Sequence, residues 1–202
     1  MTITATIERA RLDVFRRRYE LSLPKKLALA FGVAVLTGLL AQARFYLPWS
    51  PVPLTGQTFG VLLAGVLLGT WWGGASMALY AGLGAAGLPW FQGWGSGYAY
   101  LTGPTGGYIV GFIVAALFLG YITDRYAGAH RFPAMLGLML FASFVLIYGP
   151  GLLQLNLWLV NVKGQTLTLS QLLTMGAVPF LAGDAVKALS AAIVARAITS
   201  RG

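Results

Sequence analysis

The chain has no cysteine, a single histidine and five acidic residues among its 202. Without thiols there is no disulfide, no thiolate metal site and no cysteine nucleophile. His130 stands alone in a short charged stretch, and the acids beyond residue 26 are only Asp124 and Asp184, so no metal-binding cluster is expected. No G-x-x-x-x-G-K-[ST] sequence occurs, which excludes ATP use through a P-loop of this chain. Ser96, in GWGSG, matches neither the nucleophile elbow nor a serine-histidine pairing on one side of the apolar segments. The glycines of residues 93–97 likewise lack the strand and helix that a dinucleotide fingerprint needs. The expectation is a protein that is not an enzyme and has no resident cofactor.

Charge is scarce and apolar surface abundant: 9% of the residues are charged and 57% hydrophobic, with 27 glycines and a mean hydropathy of +0.75. A soluble helix carries its apolar residues on one stripe, whereas segments here are apolar all round for about 17 residues or more. The expected class is all-α, a polytopic integral membrane protein. The net charge of +9 and pI near 10.2 do not indicate nucleic acid, because seven of the 14 basic residues precede Leu27 and most others flank apolar segments.

The first unit, residues 1–26, holds Arg9, Arg11, Arg16, Arg17, Arg18, Lys25 and Lys26 and reads as a basic cytoplasmic arm; residues 27–202 read as a membrane domain of six transmembrane helices. The expected spans are 27–46, 54–69, 75–88, 105–123, 132–149 and 179–197. Ala41-Gln42-Ala43 resembles a signal-peptidase site, but 26 residues precede the first span and later segments are equally apolar, so a retained helix is expected. Three prolines within residues 47–58 rule out regular helix there and imply an ordered loop or re-entrant cap. GTWWGG reads as a tight turn, and residues 89–104 as a long uncharged loop rich in glycine and aromatics. The fifth span is expected to continue past Pro150 as a kinked or surface segment to Val160, and a short helix is expected over 170–176.

With the N-terminus inside, eleven basic residues fall on the cytoplasmic side and only Arg44 and Lys163 outside, so both termini are expected in the cytoplasm. Small residues recur four apart at Gly56-Gly60, Gly65-Gly69-Gly73, Gly103-Gly107-Gly111 and Ala30-Ala34, a spacing that lets helices approach closely.

Within the last span, LAGDAVKAL places Asp184 and Lys187 on one helical face. An ionisable residue at the centre of a membrane helix costs about 2.5–3.5 kcal/mol, so it normally faces a cavity or a counter-charge. By helical rise the pair lies roughly 7–12 Å below the outer end. One reading is an ion pair that merely neutralises itself; the other is an anchor for a small polar solute, with Lys187 as cation and Asp184 as acceptor. Gln57, Trp90, Tyr98 and Tyr108 sit in or beside the two outward loops as candidate co-ligands, and Asn156 follows the break at Pro150. For each aromatic taken singly, anchoring at the membrane interface is the blander alternative.

Four blocks, SPVPLTGQTFGVLLAGVLLG, GLPWFQGWGSG, LTGPTGGYIVGF and PFLAGDAVKAL, together resemble the BioY family from residue 27 onward. The resemblance implies a six-helix S component of an energy-coupling-factor (ECF) transporter in the prokaryotic plasma (inner) membrane, binding biotin at a site open to the outside. It also implies partners: a transmembrane coupling protein and two cytoplasmic ABC-type ATPases, which alone use ATP. In such families an Ala-x-x-x-Ala patch on the first helix faces the coupling protein, and Ala30 and Ala34 stand at the matching place. Asp184 then accepts from the ureido N–H groups of biotin, and Lys187 donates to either the ureido carbonyl or the carboxylate. Rival readings are an S component for another vitamin, a stand-alone small-solute transporter, and a ligand-free membrane protein.

Overall fold

Proline in the first turn of a helix loses no hydrogen bond, and Pro24 opens α1 (Leu23–Leu40) in the computed structural model, which describes residues 21–199. The helix begins four residues earlier than expected. Most of the basic arm lies outside the described residues. After α1 the proline-rich stretch forms a two-stranded antiparallel ribbon, β1 (Arg44–Phe45) and β2 (Leu54–Thr55), with Arg44 opposite Thr55 and Phe45 opposite Leu54. This small sheet departs from a purely α reading; the prolines fall between its strands, where no ladder donor is needed.

Helix α2 (Gln57–Leu68) follows directly. Nine of its 12 residues are buried, so it is wrapped on all sides rather than along one stripe. Gly69, at φ +80°, turns the chain back into α3 (Thr70–Ala85). The turn is therefore a single residue, and Trp71 to Gly74 are helical instead of forming the expected connection. Asp124 makes this possible: its carboxylate accepts from both the Thr70 backbone N–H (2.7 Å) and the Thr70 hydroxyl (2.8 Å), satisfying the start of α3. The long loop contains a 3₁₀ turn (Gln92–Trp94) and a single helical turn, α4 (Tyr98–Leu101). Helix α5 (Gly106–Arg125) then crosses the molecule.

Pro150 does not end the next helix. A continuous α6 runs over Phe132–Lys163, with a π-helical stretch at Ala142–Ile147. The wider π turn just before the proline releases the carbonyl that the pyrrolidine ring would otherwise strike, so the helix passes Pro150 without breaking. Gly164, left-handed, caps it. Thr168 and Gln171 form a capping box that starts α7 (Leu169–Gly176), and a 3₁₀ turn (Val178–Phe180) leads into α8 (Leu181–Thr199).

Among the described residues, four stretches are long and apolar enough to cross a membrane: Leu23–Leu40, Gly106–Arg125, Phe132–Lys163 and Leu169–Ile198. Helix α5 packs on α2, α3 and the second half of α6, while α8 packs on α2 and the first half of α6. Glycines set these approaches. A Cβ at Gly107 would lie 2.1 Å from the Pro150 carbonyl oxygen, and one at Gly111 2.7 Å from the Ile147 Cα. The spacing seen in the sequence thus serves helix contact within the chain.

Ala30 and Ala34 do the same, against expectation. Both are fully buried within the chain, where α1 packs on α2 and α3 and the Ser76 hydroxyl of α3 donates to the Ala30 carbonyl at 2.7 Å. The face expected to meet a partner is therefore turned inward, and α1 presents Leu27, Leu29, Phe31, Leu36 and Leu39 outward.

Candidate functional site

At the ribbon end of the bundle, β2, the start of α2, the aromatic loop, α5, α6 and α8 surround one cavity. One side of it is polar. Asp184, 3% exposed, forms an ion pair with Lys187 through Oδ1, and Tyr148 of α6 donates its hydroxyl to Oδ2. Oδ1 has no hydrogen-bond partner besides the Lys187 ammonium. Lys187 also donates to the Thr55 carbonyl at 2.6 Å, tying the last helix to the ribbon. The ammonium thus bridges a carboxylate and a carbonyl, which explains how a charged pair is tolerated at this depth.

Gln57 occupies the first turn of α2, buried, where Thr55 donates to its Oε1 (2.8 Å) and its Nε2 donates to the Tyr80 hydroxyl (2.7 Å). Tyr80, from α3, stacks obliquely on Trp90 (5.4 Å) and meets Phe91 edge-on (5.3 Å); Phe91 in turn lies on Tyr100 (5.1 Å). Tyr80, Phe91 and Tyr100 form one wall of the cavity. Tyr108 forms another, its hydroxyl donating to the Gly176 carbonyl at 2.7 Å, with Tyr148 edge-on to its ring. Burial raises the Tyr100 phenol above its ordinary value, so it remains a neutral donor, here to the Gln92 carbonyl. Gln92 also lines the cavity, and its side-chain oxygen is buried without a hydrogen-bond partner.

Asp184, Lys187, Gln57 and Tyr108 are therefore brought together around one space. Trp90, Tyr98 and Asn156 are not among its lining residues. Trp90 is buried behind the wall, donating from Nε1 to the Tyr80 carbonyl at 2.9 Å. Tyr98 is 72% exposed on the outer surface, and Asn156 is half-buried on α6. Sequence reasoning passed over Tyr80 and Tyr148. A buried phenol needs a hydrogen-bond partner, but the residue string does not say which face of its span either tyrosine occupies. Gln42 was missed as well; it fastens the aromatic loop by donating to the Phe91 carbonyl (3.0 Å) and accepting from the Trp94 N–H (3.0 Å). Among the described residues no group of three metal-ligating side chains occurs.

The architecture is a helical membrane bundle with a polar cavity at one end, a fold with a known counterpart. The chain superposes on a crystal structure of the S-component for biotin from an ECF-type ABC transporter with a TM-score of 0.79. That likeness covers 90% of this chain and 96% of the other at 22% identity. The chain belongs to the BioY family, whose pattern matches residues 11–202. The match begins well inside the basic arm, earlier than the sequence blocks alone indicated. It is similar to the probable biotin transporter BioY of Methanothermobacter thermautotrophicus, 48% identical over 139 residues, 69% of this chain and 88% of that protein. It is also similar to the biotin transporter BioY of Thermotoga maritima, 34% identical over 157 residues, 78% of this chain and 86% of the other.

Proposed function

We propose that this chain captures biotin from outside the cell as the S component of an ECF-type transporter. It is energised by a transmembrane coupling protein and two cytoplasmic ATPases. The observation that carries the reading is the Asp184–Lys187–Tyr148 cluster lining an aromatic-walled cavity, in a chain of the BioY family. Biotin presents two N–H donors and a carbonyl within one ureido group, on an apolar bicycle. An acceptor and a cationic donor one helical turn apart suit that head group, with Asp184 facing the N–H groups and Lys187 the carbonyl. The aromatic walls suit the bicycle.

In the same reading the bundle crosses the plasma membrane six times with both termini in the cytoplasm. Helices α2 and α3, with 12 and 16 residues, are short for spans; their rise is about 18 and 24 Å. The ribbon, on which α2 begins, and the long loop after α3 complete their crossing. Basic residues support the orientation, since Arg125 and Arg131 flank the Gly69 end while the cavity lies at the other. No P-loop is encoded, which fits delegation of ATP hydrolysis to partners.

The test is saturation binding of radiolabelled biotin to the purified chain in nanodiscs, freed of endogenous vitamin, with excess biotin, thiamine or riboflavin as competitor. Saturable binding displaced only by biotin is expected. A folded protein that binds another vitamin, or none, would refute the assignment.

A further inference from the structure

Buried residues of α6 run in steps of four, Met135, Met139, Ser143, Ile147, Gly151, Leu155 and Leu159. That rhythm is longer than the 3.6 residues of an α-turn, so a plain α-helix would carry it off one face. The π-helical stretch Ala142–Ile147 supplies the wider turn that offsets part of this drift. Its one extra residue turns everything after it by about 100° about the helix axis. The π turn is therefore what brings Tyr148 to face α8.

There the Tyr148 hydroxyl meets Asp184 Oδ2, while Lys187 holds Oδ1. Two partners on two oxygens fix the plane of the carboxylate. With Lys187 alone, a carboxylate in so dry a place would turn both oxygens to the ammonium and close the pair on itself. Asp184 lines the cavity, and a carboxylate oxygen offers two lone pairs, so Oδ1, held by the Lys187 ammonium, keeps a second acceptor position. We propose that Tyr148, aimed by the π turn at Ala142–Ile147, is a positioning residue that holds Asp184 open to the N–H donors of a ligand. It thereby sets selectivity for a ligand bearing paired N–H groups. The proposal rests on the reading of the cavity as a biotin site for its ligand and on α6 geometry for its mechanism.

Three readouts test it. In infrared difference spectra the carboxylate band of Asp184, identified by its loss in Asp184→Asn, shifts in Tyr148→Phe; an unshifted band overturns the proposal even if biotin does not bind. In equilibrium binding Tyr148→Phe weakens biotin about tenfold. It also narrows the preference for biotin over an analogue methylated on a ureido nitrogen; a variant with the parent's affinity and preference overturns the proposal while leaving the biotin assignment intact. Deleting Val145, exposed on the π stretch, removes the extra residue and should reproduce both effects. A folded deletion protein with parental spectrum and affinity overturns the role of the π turn, and if the deletion does not fold, Tyr148→Phe decides alone. Failure of the parent to bind biotin refutes the assignment of the ligand, and the infrared arm still decides the positioning.

Discussion

Asp184 shares its charge with an ammonium and a phenol, and Lys187 shares its own with a carboxylate and the Thr55 carbonyl. Because each group has a partner besides the other, removing one leaves a buried network only partly satisfied. Gln57 is embedded in the same way, between Thr55 and Tyr80. Gln57→Ala leaves the Thr55 and Tyr80 hydroxyls without that partner and should destabilise the protein by about 1–3 kcal/mol, read as a lowered melting temperature of the ligand-free chain in detergent. An unchanged melting curve would mean that the Gln57 contacts contribute nothing to the fold. The pair in the last span was legible in the sequence because charge is so scarce there. Tyr148 was not, since its role depends on the phase of α6, which a residue string does not carry. Trp90 was legible only as an aromatic near the site; which side of the wall it occupies is decided by its indole N–H seeking the Tyr80 carbonyl.

Among the elements, α5 and α6 lie closest, with glycine on one against backbone on the other. Gly107→Ala would push a methyl to within 2.1 Å of the Pro150 carbonyl oxygen, forcing the helices apart. Such overpacking costs about 1–3 kcal/mol and should appear as reduced yield and a lower melting temperature. Gly149→Ala, one residue before Pro150 with nothing within 4 Å, should leave both unchanged. Element positions were read closely for α5 and α7, whose hydropathy and flanking residues are unambiguous. Two boundaries were not legible. Proline ordinarily stops a helix, and only the π turn before Pro150 reveals why α6 continues; GTWWGG looks like a turn until Asp124, far along the chain, is seen capping Thr70.

For the whole molecule, the absence of cysteine makes topology directly measurable. Single cysteines at Ala127 and Gln165, both exposed and on opposite ends of α6, should label differently with a membrane-impermeant maleimide. Gln165→Cys is expected to react in intact cells and Ala127→Cys only after permeabilisation; the reverse pattern would invert the molecule and place the cavity inside. The inward turn of Ala30 and Ala34 shows the limit of a surface read from spacing. Small residues four apart permit close packing without saying whether they meet a partner or the chain's own helices, and here they are buried within the chain.

The central claim is that Asp184 and Lys187 read the ligand, and the direct measurement is equilibrium binding of radiolabelled biotin to the parent, Asp184→Asn and Lys187→Ala, each confirmed folded by its melting curve. Truncating one partner of a buried charged hydrogen bond costs about 2–5 kcal/mol, so an affinity loss of about thirtyfold or more is expected in both variants. Folded variants that bind biotin as tightly as the parent would contradict the account and leave the pair as a self-neutralising element of the last helix.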